Sequence, residues 1–267
     1  MELNPSKTSF GRNETFNLRY SWLNKGLKEF KESPYIFSSE KAPLTLGVGK
    51  NMVNSIKYWL GAYQVIDFSL ESPSETDFGR IINKYDPYLE NPATLWLLHW
   101  KLCTNPDNAT FYHWFFNHFK KTRFTKIELI NEIIDWLDDH GCKKVSPATL
   151  ERDGSLLLKT FSNSADEVKN FEESLENPFY VLNLLSKNTD NSYTTTYEPR
   201  DSINYHILGM CLIEIFNSTE GTDLLNKTPK RLQMPISEFL YESPSVTKIF
   251  RINEAYFYQL LEKLSTQ

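Results

Sequence analysis

Cysteine and glycine are both scarce in this 267-residue chain. The three cysteines, Cys103, Cys142 and Cys211, lie far apart with no CxxC pair, which argues against a disulfide framework. Ten glycines poorly supply phosphate-cradling loops or glycine-punctuated sheets. The GVGK stretch at 47–50 is not a phosphate loop. Asn51 follows the lysine where Ser or Thr is required, and Leu44 stands where the first glycine belongs. No apolar run approaches the roughly 18 residues of a membrane span. The opening MELNPSKTSFGRNET has no apolar signal core. A soluble, cytoplasmic protein without membrane contact is the expectation.

What is present is bulk. Apolar residues make up 40% of the chain and aromatics 14%, enough to build a large core and exclude global disorder. The length suits one or two domains. Net charge is −5, which alone speaks against a nucleic-acid partner, but the charge is unevenly placed. Residues 1–66 hold nine Lys/Arg against five acids, a balance of +4, whereas residues 67–92 and 166–193 each stand at −4. A basic module on an acidic body fits a localised phosphate-binding surface; ordinary fluctuation on a solvated surface is the alternative.

Apolar spacing predicts the architecture. Phe16, Tyr20, Leu23, Leu27 and Phe30 share one helical face over 14–32, and Ser33-Pro34 ends that helix. An extended piece at Tyr35–Phe37 precedes a second helix from Gly49, with Gly61 as its expected C-cap. Strand-like alternation over Tyr63–Leu70, a turn, and a second segment at Phe78–Ile82 then read as a hairpin. Helix, turn, helix, hairpin is the order of a winged helix-turn-helix. A second copy of the pattern begins at Phe124-Thr125 and continues past a turn to Ser146, an N-cap, with Pro147 at the first helical position. Gly154 within that last helix predicts weakening or a kink. Between the two lie aromatic-rich helices broken at Asn105-Pro106. Farther on, helices are expected over 200–217 and 236–240 and up to Leu264, with a strand at Thr247–Ile252. The fold class is mainly α with small β-hairpins: two winged helix-turn-helix-like modules, 1–85 and 121–165, around a central helical core, 86–120, and a mainly helical region, 166–267.

The candidate recognition helix, KNMVNSIKYWL, places Lys50, Asn51, Asn54 and Lys57 on one exposed side. Such donors near a helix N-terminus suit DNA: asparagine can read adenine, and lysine can meet phosphate or guanine. Lys143, Lys144 and Arg152 form the corresponding second set. An ordinary polar face is the alternative for both. Asp153 beside Arg152 reads as half of a structural ion pair. His99 and Cys103 are four apart and share a helical face, but no H-x-E or HExxH pattern accompanies them, so no metal ligands are assigned. A nuclease would use carboxylates near a basic residue to hold Mg²⁺ or Mn²⁺. The best available carboxylates are Glu14, near Arg12 and Arg19, and Asp86, near Glu90; a structural role is the alternative for each, and Glu14 could equally cap the first helix.

In FGRNETFNLRYSWLNKGL, LGVGKNMVNSIKYWL, YDPYLENPATLWLLHWKL and WFFNHF the chain resembles the bacterial domain-of-unknown-function family four thousand and seven, the SspB-type component of single-strand DNA phosphorothioation clusters. The likeness runs along nearly the whole chain and is looser in the tail. It implies a DNA substrate, nicking that opens the strand for sulfur insertion, and a role in phage defence. It also implies partners: a cysteine desulfurase, an ATP-dependent sulfurtransferase and an ATPase. It transfers no catalytic residue. A non-enzymatic DNA-binding adaptor that recruits the sulfur-transfer machinery and a winged-helix transcriptional regulator are the alternatives.

Overall fold

The computed structural model describes residues 3–69, 71–163, 176–220 and 233–266. The acidic stretch at 166–193 falls partly outside them, as does Leu70 at the end of the first expected strand. The first helix is shorter than the periodicity suggests: α1 spans Tyr20–Glu32, with Arg19 as its N-cap. Glu14 and Thr15 take left-handed backbone angles (φ 50° and 64°), so residues 14–19 cannot be helical and Glu14 is no cap of α1. Tyr35–Phe37 is not extended either; a 3-10 turn covers Ile36–Ser38. A five-residue helix α2 (Ala42–Leu46) ends at left-handed Gly47 and leads into α3 (Lys50–Ala62).

α3 buries Val53, Ile56, Trp59 and Leu60, leaving the side with Lys50, Asn51 and Asn54 outward. Gly61 does not cap it. The helix continues one residue further and Tyr63, at φ −81°, is the C-cap. The expected hairpin is reduced to β1 (Ile66–Asp67) against β2 (Ser74–Glu75), antiparallel. Its second strand, placed by the sequence at Phe78–Ile82, is instead helix α4 (Asp77–Tyr85). The reason is local: the Thr76 side chain accepts from Gly79 N, and Asp77 occupies the first turn.

The central pair forms on either side of the Asn105-Pro106 break, α5 (Pro92–Cys103) capped by Asn91 and α6 (Thr110–Asn117). Every residue of α6 is buried. β3 (Arg123–Phe124) introduces α7 (Lys126–Asp139), which opens with a capping box between Thr125 and Glu128. Ser146 caps α8 (Pro147–Phe161), with Pro147 in its first turn. Gly154 does not break α8. A Cβ there would lie 2.8 Å from Ile130 Cδ1 and 3.3 Å from Phe111 Cζ, so the glycine permits close approach to α7 and α6.

β4 (Ser162–Asn163), a 3-10 turn at Pro178–Leu182, β5 (Leu185–Lys187) and β6 (Tyr193–Thr194) follow. A four-stranded mixed sheet runs β3-β6-β5-β4, with only the β4–β5 pair parallel. The tail is helical: α9 (Tyr205–Glu220), α10 (Ile236–Tyr241), α11 (Val246–Phe250) and α12 (Glu254–Ser265). α11 replaces the strand expected at Thr247–Ile252. Ser245 caps it through Lys248 N, and Arg251 turns left-handed (φ 52°) to stop it. One buried cluster extends from Leu18 to Leu260, and α3, α5 and α6 supply four of its tryptophans, Trp59, Trp96, Trp100 and Trp114. Among the described residues no helix is long and apolar enough to cross a membrane.

Candidate nucleic-acid interface

The segment FGRNET forms a clamped loop rather than a helix start. Ser9 N donates to Thr110 Oγ1 (2.9 Å) on α6. Gly11 N donates to Asp153 Oδ2 (2.8 Å), and Asn13 Nδ2 to Asp153 Oδ1 (2.9 Å), both on α8. Asn13 Oδ1 in turn accepts from Thr15 N (3.0 Å). Trp59 Nε1 on α3 donates to Phe16 O (3.0 Å). Gly11 sits at φ 67°, where side chains are strained, and a Cβ there would also press on Thr149 Cγ2 at 3.0 Å. The loop thus seats its backbone against α3, α6 and α8 together.

This seating sends Arg12 and Glu14 into a groove of about 530 Å³ that they share with Asn54 and Lys57 of α3, and with Tyr58, Phe68 and Asn108. Glu14 Oε1 accepts from Asn54 Nδ2 (3.3 Å), and Lys57 Nζ lies 5.4 Å from the centre of the Phe68 ring. Glu14 is the one carboxylate lining this groove among the described residues. A second cleft of about 600 Å³ adjoins it through Gly61, Phe68 and Asn108, and is lined by Lys7, Asp67 and Asp107. The Ser69 hydroxyl and amide, donating to Asp67, hold that carboxyl below its usual range.

The expected residues therefore separate into groups. Arg12, Glu14, Asn54 and Lys57 converge on one groove, and Lys50 and Asn51 stand exposed at the start of the same α3. Arg19 does not join Glu14. Its Nη1 pairs with Glu176 Oε2 at 2.8 Å, its guanidinium lies 5.5 Å over Trp22, and it lines a separate small cavity with Lys159. Arg152 is exposed on α8 and donates to Thr149 Oγ1 (3.3 Å) and Ala148 O (3.2 Å), one turn from the Thr149–Gly11 contact. Lys143 and Lys144 are exposed in the turn before α8.

Asp153 is the residue that the sequence reading misplaced. It is 3% exposed and both its oxygens serve the loop, whereas the Arg152 side chain bonds within its own helix. Burial raises its carboxyl above the usual range, and the bonds from Gly11 and Asn13 oppose that shift. No local signal marks a carboxylate whose partners lie about 140 positions earlier.

The histidine–cysteine pair is core. His99 Nε2 meets the Ile249 carbonyl at 2.9 Å among Phe116, Phe161 and Trp96, and burial lowers its pKa to about 3. Among the described residues no three His, Cys, Asp or Glu side chains gather closely enough to hold a metal ion. The groove's own donors do not amount to a magnesium cage.

Comparison with known proteins agrees with this architecture. No curated protein sequence matches the chain. Two solved structures share the fold. A magnesium ion-bound SspB crystal structure is 24% identical with a TM-score of 0.84, covering 99% of this chain and 80% of that one. An SspB crystal structure is 26% identical with a TM-score of 0.85, covering 98% and 78%. The profile of the family described as a protein of unknown function, DUF4007, matches residues 10–267, so the chain belongs to that family.

Proposed function

We propose that this chain is the DNA-binding and strand-nicking component of a bacterial DNA phosphorothioate modification and phage-defence system. The observation that carries the reading is the convergence of Arg12, Asn54 and Lys57 on one groove, continuous with the exposed Lys50 and Asn51 of α3. Cations spaced along a groove neutralise phosphates, and the asparagine amides on the same helix suit base edges. Residues 1–85 are the principal contact unit in this reading, with β1–β2 as a reduced wing. Arg152 of α8, with Lys143 and Lys144 of the turn before it in 121–165, extends the contact in this reading.

Nicking would draw on Glu14, placed beside Asn54 and facing the same groove as Arg12. A carboxylate can orient a water for attack, and a guanidinium can stabilise charge on the transferring phosphate. That Glu14 stands alone there favours a second reading, a DNA-binding adaptor that recruits a desulfurase, a sulfurtransferase and an ATPase. Relaxation of supercoiled plasmid, with Mg²⁺, with Mn²⁺ and with neither, separates the two. Conversion to the open circle by the wild type, lost in Glu14→Gln with DNA binding and melting temperature unchanged, supports nicking at this groove. Intact plasmid under all three conditions, with binding retained, leaves the adaptor. Failure to bind DNA at all would overturn both.

A further inference from the structure

The loop that carries Arg12 and Glu14 is tethered at alternate positions. Gly11 is held through its N–H and Asn13 through its side-chain amide, both by Asp153, while Thr15 is held through Asn13 Oδ1. Between them stand Arg12 and Glu14, which line the groove together with Ser9 and Gly11, Glu14 accepting there from Asn54. Glu14 and Thr15 adopt left-handed angles that no helix or strand supplies, so the surrounding structure must hold them. Thr110, Asn54 and Trp59 bond the segment at Ser9, Glu14 and Phe16, and the outside group at positions 11 and 13 is Asp153. It comes from α8, contacts neither Asn54 nor Lys57 through any hydrogen bond among those described, and is too buried to meet a polymer itself.

We propose that Asp153 is the positioning residue of the groove: its carboxylate fixes the 11–15 loop so that Arg12 and Glu14 face Asn54 and Lys57. This rests on the DNA-binding reading above. The chemistry explains why an acid stands here. Both partners, the Gly11 N–H and the Asn13 amide, are donors, and a carboxylate offers an acceptor to each, whereas an asparagine offers one acceptor and one clashing donor. Burial raises the cost of the charge more than its two bonds and the nearby Arg152 charge offset, in keeping with a carboxylate kept for those two bonds.

The test is a cycle of variants read by fluorescence anisotropy on a short DNA duplex across a salt series, together with amide exchange at Gly11 and Thr15. Asp153→Asn should weaken binding as much as Arg12→Ala and lower the salt slope by about 0.9, the share of one phosphate contact. The double variant Asp153→Asn with Arg12→Ala should be no weaker than either single one. The reciprocal swap, Asn13→Asp with Asp153→Asn, re-creates a donor–acceptor match and should recover most of the affinity.

Binding by Asp153→Asn equal to wild type, or losses that simply add to those of Arg12→Ala, would overturn the proposal. Should Asp153→Asn fail to fold, Asn13→Ala breaks one tether alone and must show the same coupling to Arg12. If the wild type shows no salt-dependent DNA binding, the groove reading fails separately. Amide exchange then decides the tether: faster exchange at Gly11 and Thr15 in Asp153→Asn supports it, and unchanged protection overturns it.

Discussion

Replacing Lys50 and Lys57 with alanine tests the groove through a quantity that only phosphate contact produces. Lys50 is exposed at the first turn of α3, and Lys57 is two turns along, half-buried over the Phe68 ring at 5.4 Å. Each cation that displaces a counterion from duplex DNA contributes about 0.9 to the slope of log K against log salt. Raising salt fourfold, from about 50 to 200 mM, should therefore cost about 3.5-fold in affinity per contact and about 12-fold for two. The double variant should accordingly be much weaker than wild type at low salt and approach it at high salt, with a slope shallower by about 1.8. Lys50→Ala alone should account for half of that change. It also serves as the control for the packing Lys57 loses at Phe68, because Lys50 has no such contact to lose. Anisotropy titrations at four salt concentrations measure it. An unchanged slope with weaker binding would mean the lysines act through structure, and an unchanged affinity at low salt would remove α3 from the interface.

Charge reversal ranks the two modules: Lys50→Glu should weaken DNA binding more than Lys159→Glu, and the opposite order in a mobility-shift assay would move the contact to α8. Gly154→Leu should cost about 1–3 kcal/mol in a urea titration, because its side chain must displace Ile130 and Phe111 from α8; a midpoint equal to wild type would contradict the close approach. Stability should fall on acidification. His99 and His113 are lowered by burial to about 3 and about 4, so from pH 6.5 down to about 4 the unfolded chain binds the extra protons. The two together give up to about 3 kcal/mol per pH unit. Asp153, raised by burial, works in the opposite sense near its own titration. Urea melts at pH 7, 6 and 5 should show the loss, with a shallower dependence in His99→Gln; a flat wild-type profile would contradict it.

Periodicity over a single helix was readable because the information is local. α3, α7 and α8 carry apolar positions at helical spacing, α7 and α8 with their own start signals at Thr125 and Ser146, and they form where the spacing puts them. The exposed side of α3 followed from the same spacing, since the positions that remain after burying Val53, Ile56 and Trp59 include Lys50, Asn51 and Asn54. Short segments were misread where a cap decided the element: Thr76 and Ser245 each begin a helix in a stretch read as a short strand. The amphipathic pattern over 14–19 was likewise overridden, because Asp153 and Trp59 bond the loop from other helices. Only tertiary structure decided that Arg12 and Glu14 face Asn54 and Lys57, while Arg19 leaves for Glu176. A sequence determines which residues prefer water and which repeat they follow; which two distant segments share a buried carboxylate depends on how the helices dock, and local spacing carries no term for that.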